Sequence, residues 1–120
     1  GRLVTLFGCG GDRDAAKRPM MGEVAGRYSD LCIITSDNPR YEDPVKIIED
    51  ILPGIAKTHC PYKVIVDRRE AIEYAIKNAR ENDLIILAGK GHETYQIIKG
   101  DTYPFDEKEI VAQILGREKV

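Results

Sequence analysis

Four short runs, Leu3 to Phe7, Leu31 to Thr35, Tyr62 to Val66 and Leu84 to Ala88, are nearly continuous in apolar residues and rich in Val, Ile and Leu. A strand with one face in water alternates polar and apolar positions. Runs without alternation predict strands covered on both faces, as in a parallel sheet. Helical patterns separate them. The first has Pro19 suited to N1 and a stripe of Met20, Met21, Val24, Ala25 and Tyr28, expected to pack on the sheet as core. In the second, Asp43 caps with Pro44 at N1, and Ile47, Ile48, Ile51 and Leu52 form a stripe that Pro53-Gly54 should end. The third starts on a capping box of Asp67 and Glu70 and carries Ala71, Ile72, Ala75, Ile76 and Ala79. After the fourth strand the pattern changes. Tyr95 to Ile98, then Lys99-Gly100-Asp101, then Thr102-Tyr103 predict a small hairpin. A last helix follows, capped by Asp106 and Glu109, with Ile110, Val111, Ile114 and Leu115 facing inward.

Strand-helix alternation with right-handed crossovers defines an α/β, Rossmann-like open sheet, mostly parallel with an antiparallel edge and helices on both faces. A chain of 120 residues suits one domain, 1–120. With 18 Lys and Arg against 20 Asp and Glu, the net charge of -2 offers no general polyanion surface, so nucleic acid is not the expected partner. Cys9, Cys32 and Cys60 are odd in number and widely spaced, which fits reduced thiols and a cytoplasmic location rather than a disulfide framework. No C-x-x-C or H-x-x-x-H spacing marks a metal site, and no apolar run is long enough to span a membrane. Gly1-Arg2 leads directly into the first strand without an initiating methionine, as expected of a fragment of a longer protein.

The residues that are hardest to explain structurally all follow strands: Gly8-Cys9-Gly10-Gly11-Asp12-Arg13-Asp14, then Asp37-Asn38-Pro39-Arg40, then Gly89-Lys90-Gly91-His92-Glu93. In open α/β sheets ligands bind outside the carboxyl ends of the strands, so the three loops are expected to face one site. Gly8-x-Gly10 has Arg13 where the dinucleotide fingerprint needs a small residue. Gly89-Lys90-Gly91 lacks the hydroxyl residue and the spacing of a P-loop, so this chain alone should not hydrolyse ATP. The loops do supply guanidinium groups from Arg13 and Arg40, an amide from Asn38 and carboxylates from Asp37 and Glu93. Arginine grips a carboxylate through two parallel hydrogen bonds, and an acidic side chain accepts from an ammonium. That inventory complements a zwitterionic amino acid. The structural alternative is a set of tight turns with solvated charges, which suits Asp14 better than Arg13.

These three strings, with Lys17-Arg18-Pro19-Met20-Met21-Gly22, closely resemble the C-terminal domain of the Mur ligases, in order and across essentially the whole chain. They are most similar to the members that add meso-diaminopimelate to UDP-N-acetylmuramoyl-L-alanyl-D-glutamate in peptidoglycan precursor synthesis. The resemblance implies a three-domain enzyme in which the missing N-terminal domain holds the UDP moiety and the missing central domain binds ATP and Mg2+. The domain present here would bring the amino acid and be inactive alone. By position, Arg40 with Asn38, in the turn with Asp37 and Pro39, would hold the far carboxylate of diaminopimelate, a group lysine lacks. Arg13 would contact a diaminopimelate carboxylate, the Gly89 carbonyl and Glu93 would accept from the distal ammonium, and Asp12 would help orient ATP or the closing domain. No catalytic residue or protein metal ligand is implied in this chain. A related ligase using lysine or another amino acid, and a stand-alone amino-acid-binding module, remain the alternatives.

Overall fold

Four parallel strands form the centre of the computed structural model, which describes residues 1–11, 14–88, 95–98, 101–104 and 106–118. They are β1 (Leu3–Phe7), β2 (Leu31–Ile34), β3 (Tyr62–Val64) and β4 (Leu84–Leu87), in the order β3-β2-β1-β4. In register, Val4 lies opposite Leu31 on β2 and Ile85 on β4. The strands β2 and β3 are shorter than the apolar runs predict, yet pairing extends beyond them: Ile65 N donates to Ile34 O at 3.0 Å and Ser36 N to Val66 O at 3.3 Å.

The helices are α1 (Lys17–Tyr28), α2 (Pro44–Ile55), α3 (Arg68–Lys77) and α4 (Glu107–Glu118). One face of the sheet packs Phe7, Cys32 and Ile34 against Ile47, Ile48, Ile51 and Ile55 of α2. The other packs Val4, Leu6 and Ile33 against Ala71, Ile72 and Ala75 of α3 and Ile110 and Ile114 of α4. The outer strands are covered only in part: Ile85 and Leu87 on β4 pack against the core beneath α3 and α4. Tyr62 and Val64 on β3 and Leu84 and Ile86 on β4 are exposed, so the outer strands depart from the expectation of full cover.

The expected aspartate caps are present on α2, α3 and α4, whereas α1 starts at Lys17 with no side-chain cap, which puts Pro19 third in the helix rather than at N1. Asp43 accepts from Val45 N at 2.9 Å, Asp67 from Glu70 N at 3.0 Å, and Asp106 from Lys108 N at 3.1 Å. Two helices differ from their patterns. In α2, Pro53 lies inside the helix, because Ile55 still contributes to the core and Gly54 lets Pro19 of α1 approach. The larger correction concerns α1. Met20, Met21, Val24 and Tyr28 are exposed, whereas its buried positions are Arg18, Gly22 and Gly26. A Cβ on Gly22 would overlap the Ile51 carbonyl, so the helices meet through a face of small residues that hydrophobic periodicity does not register. Leu115 on α4 is likewise exposed rather than core.

The hairpin is present as β5 (Tyr95–Ile98) and β6 (Asp101–Pro104), with Ile98 paired to Asp101. Among the described residues it forms its own two-stranded antiparallel sheet rather than extending the edge of the parallel one. A single parallel bridge from Ile98 to Arg40 joins it to the loop after β2.

Candidate functional site

The turn Asp37-Asn38-Pro39-Arg40 leaves the carboxyl end of β2 and is held from below. Ser36 Oγ donates to Val66 O, and Thr35 Oγ1 donates to the same carbonyl at 3.2 Å. Asn38 and Pro39 are buried, while Asp37 and Arg40 are half-buried at the rim. Arg40 has a φ of 54°, in the left-handed region that costs a residue with a side chain about 1–2 kcal/mol. Such strain persists where the surroundings over-determine it. Here they do: the bridge to Ile98 holds the backbone, and Nη1 donates to Gly11 O at 2.7 Å and to Asn38 O at 3.4 Å. Both bonds use Nη1.

The first loop lies directly on this turn. Gly11 N donates to Asn38 O at 2.7 Å, and a Cβ on Gly11 would overlap Pro39 O. A Cβ on Gly8 would overlap Thr35 O. The close approach that these glycines permit is therefore made by the protein's own second loop. Cys9 between them is buried, with Sγ 3.5 Å from Met21 Sδ, and burial pushes its thiol up to about 11.

Two buried arginines, to which sequence reasoning assigned no role, tie the loops together. Arg18 Nη2 donates to Gly10 O at 3.2 Å, and the guanidinium forks onto Glu42 at 2.9 and 3.1 Å while Nη1 also reaches Asp50 at 2.9 Å. Hydrogen bonding to Glu42, before all else, raises the Arg18 pKa and keeps the group cationic. Arg68 Nη1 donates to Ser36 O at 3.1 Å, and Nη2 to Ala88 O and Glu107 Oε1, each at 3.0 Å. Its signal in sequence was faint, because a charged residue beside a helix cap reads as solvated.

Of the expected site residues, the structure brings Asp37, Asn38, Pro39 and Arg40 onto the Gly8 to Gly11 loop. Asp12, Arg13 and the segment Gly89-Lys90-Gly91-His92-Glu93 lie outside the described residues. The strand that precedes that segment, β4, is the neighbour of β1, so the three strands whose loops were expected to converge are adjacent in the order β2-β1-β4. No cluster of three or more His, Cys, Asp or Glu among the described residues is placed to hold a metal ion. No described helix is long and apolar enough to cross a membrane.

Residues 1–91 match the family described as Mur ligase, glutamate ligase domain, and the chain belongs to that family. Among its relatives, the UDP-N-acetylmuramoyl-L-alanyl-D-glutamate--2,6-diaminopimelate ligase of Caldanaerobacter subterraneus subsp. tengcongensis is 64% identical over 99% of this chain. The ligase of the same name from Aquifex aeolicus is 56% identical over 97% of it. A solved structure of a ligase of that name superposes with a TM-score of 0.94 at 42% identity over the whole chain. The chain spans about a quarter of each: 25%, 24% and 25% of their lengths.

Proposed function

We propose that this chain is the amino-acid-selecting domain of an ATP-dependent ligase that joins meso-diaminopimelate to UDP-N-acetylmuramoyl-L-alanyl-D-glutamate. The observation that carries the reading is Arg40. A strained backbone and a bond to the Gly11 carbonyl hold a half-buried guanidinium at the rim of a turn whose Asn38 and Pro39 are buried. The high identity to ligases named for diaminopimelate supports the same substrate.

In this reading the remaining N–H groups of Arg40 take the far carboxylate of diaminopimelate in a fork, with Asn38 beside it, in the turn that Asp37 and Pro39 complete. Arg13 takes a carboxylate, and the Gly89 carbonyl and Glu93 accept from the distal ammonium, leaving the other amine to attack. ATP supplies the phosphoryl group that activates the D-glutamate side-chain carboxylate as an acyl phosphate. The attacking amine then adds to that carbon and phosphate departs. This chain has no P-loop and its described residues offer no metal cluster, so ATP and Mg2+ belong mainly to the other domains of the full-length protein, with Asp12 as the contact from this one. The domain's own contribution is positioning and charge neutralisation. The substrate places the enzyme in peptidoglycan precursor synthesis in the cytoplasm.

Assaying the full-length protein with ATP, the UDP-dipeptide and either diaminopimelate or lysine tests the reading. Ligation of diaminopimelate with at least a hundred-fold preference is expected; equal use of lysine would contradict it.

A further inference from the structure

Arg68 is the first residue of α3, and its side chain is 0% exposed, beneath the carboxyl ends of the strands. Through one guanidinium it touches the last residue before the candidate turn (Ser36 O), the residue after β4 (Ala88 O) and the first residue of α4 (Glu107 Oε1). The Ser36 carbonyl belongs to the peptide that enters Asp37. Ser36 itself is held on its other side, since its N and Oγ reach Val66 O.

As a stabilising device the pair is poorly made. Among the described residues Arg68 Nε and Glu107 Oε2 are buried without hydrogen-bond partners, and the two side chains meet through one bond rather than a fork. Replacing a buried ion pair by apolar side chains of similar volume is often neutral or stabilising. What apolar side chains would not supply is the pair of N–H groups on Ser36 O and Ala88 O. We propose that Arg68 and Glu107 are positioning residues for the amino-acid pocket: the buried guanidinium sets the peptide that launches Asp37-Asn38-Pro39-Arg40 and registers it against the end of β4, while Glu107 holds the guanidinium in place. The inference rests on the reading of that turn as the carboxylate-gripping end of the pocket.

The test compares wild type, Arg68→Met, Arg68→Lys and the double variant Arg68→Met/Glu107→Leu in the full-length protein. The readouts are thermal midpoint, KM for diaminopimelate and KM for ATP. Arg68→Met leaves Glu107 buried and unpaired, so its midpoint falls. The double variant recovers most of that loss, yet its KM for diaminopimelate stays at least ten-fold above wild type while that for ATP changes less than three-fold. Arg68→Lys keeps a cation beside Glu107 but cannot fork onto two carbonyls, and is expected to show the same ten-fold rise should the double variant not fold. A double or Lys variant with wild-type KM for diaminopimelate overturns the inference and leaves the pair structural. A wild type that does not use diaminopimelate brings down the reading of the turn itself, and this inference with it.

Discussion

Arg40 carries two separable properties, a left-handed backbone and a cation, and they call for different variants. Glycine adopts a φ of 54° without strain, which offsets part of the loss of the Nη1 bonds to Gly11 O and Asn38 O, so Arg40→Gly should be more stable than Arg40→Ala in chemical denaturation while both lose affinity for diaminopimelate. Reduced stability together with unchanged affinity would show that the side chain serves packing. The thiols behave differently. Burial pushes Cys9 up to about 11 and Cys32 up to about 12, so both stay protonated and unreactive at pH 8. Alkylation of the native domain at that pH should modify at most Cys60 quickly, with all of the cysteines reacting only after unfolding. The turn was legible in sequence because an arginine between a proline and the next helix has no local structural task. Arg18 and Arg68 were not legible, because the groups that bury them lie far along the chain: Glu42 and Asp50 for one, Ser36, Ala88 and Glu107 for the other.

Elements with caps and β-branched stripes were the ones sequence placed well. Asp43, Asp67 and Asp106 each accept from the backbone where the pattern put a helix start, and the isoleucines of α2 and α4 are core. The α1 helix shows why periodicity fails when a helix packs through its backbone. Its apolar residues Met20, Val24 and Tyr28 face outward, because Gly22 and Gly26 bring it onto α2 and the loop beyond. Pro53 and Gly54 were read as a stop for a related reason: a breaker's local preference gave way to close helix packing. Gly22→Ala tests this. Alanine favours an isolated helix by about 1 kcal/mol, yet the added methyl meets the Ile51 carbonyl, and a net loss of about 1–3 kcal/mol is expected in urea unfolding. An unchanged or raised midpoint would mean that α1 and α2 separate at little cost.

At the scale of the molecule the two ends of the sheet have different tasks. The amino end is fastened by Arg2 and Asp83, which pair at 2.7 and 3.1 Å between the starts of β1 and β4. Hydrogen bonding to Arg2 holds the Asp83 carboxyl well below the usual carboxylate range. A lowered folded-state pKa gives stability that is fully present above the unfolded value, about 3.9, and lost progressively as the pH falls below it. The thermal midpoint should therefore drop between pH 5 and pH 2, and Asp83→Asn should be less stable than wild type at pH 7 but show a shallower drop. An identical acid profile would remove the pair from the account. At the carboxyl end the loops after β1 and β2 pack on one another through Gly11, Asn38 and Arg40, and the central claim is that Arg40 chooses the amino acid. The most direct measurement is steady-state kinetics of Arg40→Ala in the full-length protein. Truncating one partner of a desolvated charge pair costs about 2–5 kcal/mol. The account thus predicts that KM for diaminopimelate rises by on the order of thirty-fold or more, with KM for ATP nearly unchanged. An unaltered KM for diaminopimelate would contradict it.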